Sequence, residues 1–349
     1  MTDGFVPALD QPLAELARRY RTGDADPREV VGESLRRIGE RGAALGAVTD
    51  VLEGAEEVAA ERAAELARGI DRGPLHGVPV VVKELIDVEG LPRSAATHVH
   101  PPGWGRAVAD AGVVARLRDA GAVVVARGRT HEFAWGITTR HPDGTGTLNP
   151  LDPELIAGGS SGGVAALVAA GCAPVGIGTD TGGSVRIPAT FCGLVGWKPA
   201  LDRLPIDGVV PLAPSFDTVG LLVRSVEDAR AVDRAVPTGL GAEGAVAPVT
   251  ALLEDHTLPT CDAATRAALE DAAGQLGARR GLVAGDGPAD WPPAGAVVAG
   301  YDVLQRAFAL VVHRDELRTW PAQSSRYGRD VAERLREAEA LTSAEIEGA

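Results

Sequence analysis

Apolar residues recur along the chain in two rhythms, and the change between them divides it. Over 12–72 the spacing is helical. Leu13, Leu16 and Ala17 share a face, Pro27 stands where a second helix opens, and the Ala- and Glu-rich run 53–68 meets a stop at Gly69. From Val78 short strand-like runs take over. Val78-Pro79-Val80-Val81-Val82 is β-branched and ends at Lys83. Helix and strand signals then alternate: a helix over 108–121, a strand over 122–126, a helix over 163–170, and strands over 173–177, 194–197 and 219–223. Ser225-Val226-Glu227-Asp228 reads as a capping box for the next helix. Residues 236–300 are weakly patterned apart from a helix over 262–276, and 301–340 read as two more helices. The alternation predicts an α/β protein around one central mixed β-sheet. With no repeat and no linker in sight, 1–349 reads as one domain: a helical region 1–72, a core 73–235 and a compact region 236–349.

Composition narrows the function classes. The 349 residues are 45% apolar and 23% charged, which suits a globular chain rather than a disordered one. The formal net charge is −14 and no basic stripe is present, so nucleic acid is not an expected partner. Cys172, Cys192 and Cys261 form no CxxC and no paired framework, which fits a reducing compartment. Residues 1–10 lack a secretory leader's basic and apolar regions. The apolar stretch 164–177 is broken by Gly171 and Pro174 and is too short to span a bilayer. The expectation is a cytoplasmic protein with no membrane partner. Of 34 basic residues only Lys83 and Lys198 are lysine. Arginine cannot lose its proton in a protein whereas a buried lysine can, so both are candidates for a required amine.

The densest chemistry lies over 156–199. Gly158-Gly159-Ser160-Ser161-Gly162-Gly163 is followed by Gly178-Thr179-Asp180-Thr181-Gly182-Gly183-Ser184-Val185-Arg186. Glycine admits backbone conformations closed to other residues, and successive N–H groups in such turns form anion-binding concavities. A serine at a helix start sits beside unpaired N–H groups, a setting for a nucleophile whose substrate carbonyl becomes an oxyanion. Three chemistries compete. Phosphate binding lacks a following GKS or GKT. Residues 158–162 match G-x-S-x-G, but the preceding residues read as loop, and the base would fall to His256 or His313. The third uses a lysine base, and Lys83 at the end of an apolar strand is placed for desolvation.

At these residues the chain resembles the amidase signature family. The run 76–83 looks like that family's strand ending in its catalytic lysine. The two Gly/Ser segments, whose Ser160 and Ser184 stand 24 positions apart, look like its signature, and 194–199 and 215–220 match its later landmarks. The resemblance implies the amidase-signature fold, a central mixed β-sheet covered by helices on both faces. It also implies amide hydrolysis without metal or organic cofactor. Ser184 is then the nucleophile, Ser160 a bridging serine after a cis peptide bond, and Lys83 the base. The N–H groups of Thr181, Gly182, Gly183 and Ser184 are the implied oxyanion hole.

Ser161, Trp135 and Arg186 are the substrate-binding candidates. Each also has a plain reading: local support of Ser160, core filling, and a carboxylate partner within the protein. Asp180 and Asp217 read as loop-fixing acceptors, Lys198 as structural, and His98-Val99-His100 as surface loop. His131, Glu132, Trp135 and His141 are placed to line one pocket. Family members continue further, so the expectation is a member without the C-terminal segment. Its partners are then a small-molecule amide and a second copy or a partner subunit. The rival functions are an inactive truncated scaffold and an ammonia-releasing amidotransferase subunit.

Overall fold

In the computed structural model, residues 7–236, 262–280 and 294–349 are described. Cys261, His256 and the weakly patterned stretches 237–261 and 281–293 lie outside them. Contacts divide the chain into two compact units: Met1–Gly239 with Phe308–Arg336, and Leu240–Ala307 with Glu337–Ala349.

The first unit holds a six-stranded mixed sheet, with β1 (Val48–Val51), β2 (Pro79–Lys83), β3 (Val123–Gly128), β4 (Val175–Asp180), β5 (Val195–Trp197) and β6 (Thr218–Val223). Their order is β1-β3-β2-β4-β6-β5. β2 runs parallel to β3 and β4, while β1–β3, β4–β6 and β5–β6 are antiparallel. β2, β3, β4 and β6 are buried along their whole length, as expected of near-continuous apolar runs. Period-2 geometry splits β2 between two cores. Val80 and Val82 join one apolar cluster, Val81 the other.

Helices add to both clusters. α1 (Leu13–Thr22) and α4 (Gly112–Asp119) pack with Val80 and Val82, as does α7 (Val226–Ala235). α2 (Pro27–Arg37), α3 (Ala55–Ala67), α5 (Gly162–Ala169) and α6 (Arg186–Phe191) pack with Val81. Pro27 opens α2 behind an Asp26 cap, and the Ser225 side chain accepts the Asp228 N–H to open α7. The expected helical run over 12–72 is interrupted by β1. That strand is short, half exposed and bonded on one side only, so it carries no continuous apolar signal. α4 starts at Gly112, four positions later than the pattern implies, because 108–111 form a bend that leads into it.

The second unit contains α8 (Ala263–Arg280), most of α9 (Ala294–Val311) and α11 (Ser343–Gly348). α11 opens on a capping box between Thr342 and Glu345. α10 (Arg329–Glu339) begins in the first unit. The continuous helical stretch Gly295–Glu316 contains an 18-residue window of mean hydropathy 1.4 and is long enough to cross a membrane. Apolar helices of soluble proteins share that property.

Candidate active site

Parallel pairing of β2 with β4 brings Lys83 and the Thr179–Asp180 pair to the same end of the sheet. Lys83 is fully buried, and its Nζ lies 2.7 Å from Ser160 Oγ and 2.8 Å from Thr179 Oγ1. Burial drives the amine down from 10.5 to about 7, against the upward pull of Asp180, Asp217 and Glu84. Both immediate partners are hydroxyls, which accept from an ammonium or donate to a neutral amine.

Ser160 follows a cis peptide bond from Gly159, as the family resemblance implies. Its segment is held from several sides. The Thr139 hydroxyl donates to the Gly158 carbonyl at 2.8 Å, and the Ser161 N–H donates to the Ser184 carbonyl at 3.1 Å. Two glycines on β4 make the fit possible. A Cβ on Gly178 would meet the Ser161 hydroxyl at 2.7 Å, and one on Gly176 would meet Val164 at 2.4 Å. The first turn of α5 therefore lies directly on the strand.

Asp180 organises the turn that carries Ser184. Its carboxylate is fully buried and accepts the N–H groups of Gly183 at 2.8 Å and Val185 at 3.1 Å. It also accepts Arg186 Nε at 3.0 Å and Nη2 at 2.8 Å. Burial works to raise this carboxyl, but the guanidinium and main-chain donors outweigh it and hold it below the usual range. The N–H groups of Thr181, Gly182 and Ser184 have no partner among the described residues. Asp217 accepts the Thr181 hydroxyl at 2.6 Å and the N–H groups of Leu212 and Ala213. Burial raises its carboxyl. The turn runs into α6 at Arg186, two residues after Ser184.

Ser184 is 7% exposed, and its hydroxyl makes no hydrogen bond among the described residues. Ser161 is fully buried, donating to the Thr179 carbonyl at 3.2 Å and accepting its N–H at 3.3 Å. Trp135 is 2% exposed, with the Arg334 guanidinium 5.8 Å above its ring and His313 stacked at 6.4 Å. Arg186 is half exposed and paired with Asp180. Lys198 Nζ donates to the Pro199 carbonyl at 2.6 Å. His141 lines a cavity of about 240 Å³ with Glu84, Ser94, Thr97 and Arg129, while His131, Glu132 and Trp135 are buried. His313 is buried against Tyr327, 2.8 Å from its hydroxyl, and burial pushes the ring down to about 3.

Thr179 is a partner of Lys83 that sequence reasoning misses. Its only signal is its place beside Asp180 in the second Gly/Ser segment.

The family model of the amidases matches residues 29–239. A glutamyl-tRNA(Gln) amidotransferase subunit of Deinococcus radiodurans is 40% identical over 226 residues, 63% of this chain and 45% of that protein. Indoleacetamide hydrolase of Pseudomonas syringae pv. syringae is 46% identical over 160 residues, 45% of this chain and 35% of that protein. The chain thus matches less than half the length of these curated relatives. Among solved structures, an amidase aligns with TM-score 0.84 and 34% identity, covering 97% of this chain and 76% of that one. The peptide amidase of Stenotrophomonas maltophilia aligns with TM-score 0.80 and 30% identity, covering 98% and 78%.

Proposed function

The chain belongs to the amidase family, and on that premise we propose that it hydrolyses a carboxylic amide through an acyl-enzyme on Ser184. The observation that carries the reading is the buried Lys83 amine, 2.7 Å from Ser160 and brought down to about 7. Neutral Lys83 takes the Ser160 proton while Ser160 takes the Ser184 proton. Ser184 Oγ then attacks the amide carbonyl. The Gly183 N–H is held by Asp180, which supports Thr181, Gly182 and Ser184 as the main-chain donors to the oxyanion, with Gly183 shaping the turn. Each such donor is worth roughly 2.7–4 kcal/mol where water is excluded. The proton returns through Ser160 to the leaving nitrogen, the C–N bond breaks, and water hydrolyses the ester to free the acid.

The test is turnover of a panel of small aliphatic, aryl and dicarboxylic amides, with Ser184→Ala as control. The reading expects acid and ammonia or amine in equal amounts from at least one amide, and none from the variant. Turnover that survives Ser184→Ala overturns it. A second reading, an ammonia-releasing subunit of an amidotransferase, is favoured by the 40% identity to such a subunit. It expects a stable complex on co-purification and little activity from the chain alone.

A further inference from the structure

Two adjacent residues outside the proposed triad tie Ser160 to a distant stretch of the chain. The His131 N–H donates to the Ser160 carbonyl at 3.1 Å, and the His131 ring Nε2 lies 2.7 Å from Asp330 Oδ2. Its neighbour Glu132 is 1% exposed, and both carboxyl oxygens are used. Oε1 accepts the Thr97 hydroxyl at 2.7 Å, and Oε2 accepts the Gly328 N–H at 2.8 Å. The next two residues, Phe133 at φ 49° and Ala134 at φ 59°, sit in the left-handed region that side chains disfavour. Such conformations persist where the surroundings over-determine them, and they cluster at functional sites. Here the Phe133 N–H donates to the Ala95 carbonyl at 2.9 Å, and its ring packs on His313 at 4.5 Å and Tyr327 at 5.6 Å.

We propose that Glu132 is a positioning residue for Ser160, its carboxyl fastening the 131–134 turn, and through it the Ser160 main chain, to the 327–330 segment. The proposal rests on the reading of Ser160 as the bridging serine. The tie needs two hydrogen-bonding positions on one planar group, and it does not need a charge. Burial, with Asp330 nearby, moves the carboxyl up to about 7. Glutamine preserves the connection. Its amide oxygen takes the Gly328 N–H, and its NH₂ donates to the Thr97 hydroxyl, which turns to accept. Alanine leaves a buried N–H without a partner.

The experiment compares Glu132→Ala and Glu132→Gln in the full chain. Glu132→Ala is expected to lower kcat about 10- to 100-fold with KM within about threefold, the signature of a misplaced reacting group. Fluorophosphonate labelling of Ser184 should slow by the same factor. Glu132→Gln should restore both. Hydrogen exchange of peptides covering 158–165 and 327–332 should accelerate together in Glu132→Ala alone, a readout independent of turnover. If that variant does not melt cooperatively, Gly328→Ala replaces it, because the added Cβ would lie 2.6 Å from Glu132 Oε2. Equal losses in the alanine and glutamine variants, or unchanged exchange over 158–165, overturn the proposal. A wild-type chain that neither labels nor turns over any amide instead overturns the acyl-enzyme reading, and the exchange comparison still decides the tie.

Discussion

Lys83 and Asp180 end neighbouring parallel strands of one sheet, and both are fully buried, yet they meet opposite fates. Around Asp180 stand main-chain N–H groups and the Arg186 guanidinium, and the carboxylate stays ionised below its usual range. Around Lys83 stand two hydroxyls, and burial wins, bringing the amine to about 7. Neither side chain is exposed to solvent. What differs is the set of groups that replace water. One strand end thereby becomes a rigid anchor for a turn, the other a group able to give and take a proton near neutral pH.

The comparison breaks most sharply at Lys83→Arg. A guanidinium keeps its proton at any working pH, so kcat/KM should fall by roughly 10³-fold or more, measured on whichever amide the panel yields. Wild-type rates in that variant would remove Lys83 as base. Next in size is the stability that the buried amine costs. Lys83 is protonated in the unfolded chain up to about 10.5 and in the fold only up to about 7. The unfolded state therefore binds more protons across that window, and stability rises with pH through it. Lys83→Met should be more stable than the parent at pH 7 by a few kcal/mol, with the gap closing toward pH 10.5 in denaturant titrations.

Asp180→Ala should remove the anchor instead. It leaves the turn's N–H groups unheld, and activity should fall about 10²-fold. Stability should fall by about 2–3 kcal/mol, less than for a fully enclosed pair because Arg186 is half exposed. Thr179→Val is the finest probe. Losing the hydroxyl removes an acceptor that stabilises the ammonium, so the acidic limb of the kcat/KM profile should move below its parent position near 7. The accompanying loss of kcat should be about tenfold. A limb that moves upward would contradict this account of how Lys83 is tuned.

The anchor and the proposed base are unequally legible in the sequence. Lys83, Ser160 and Ser184 sit in runs whose residue types and spacing are unusual enough to stand out, and β2 and β4 are apolar stretches of ordinary strand length. Asp180 reads as a residue that fixes a loop, and it does so. Its pairing with Arg186 is one of two readings that the residues alone leave open. Thr179 carries no signal of its own, because a hydroxyl beside a buried amine is defined only once β2 and β4 pair. Glu132 reads as a pocket residue, but its ties to Thr97 and Gly328 join three separate stretches of chain, and no local pattern encodes such a meeting. β1 escapes notice for a different reason: an edge strand with half-exposed side chains offers little periodicity to read.

The paired glycines that let α5 lie on β4 have a consequence for how this chain tolerates change in length. Between Ser160 and Ser184 the main chain travels out along α5, turns near 170–174 and comes back along β4. The two serines are the ends of a closed excursion, so its two legs must match, like the arms of a folded rule. An added residue at the far turn lengthens the fold of the rule and leaves both ends in place. The same residue inside β4 reverses which face every later side chain points to, carrying Thr179 away from Lys83. Length variation in this segment should therefore be confined to the turn, with the spacing on either leg kept fixed.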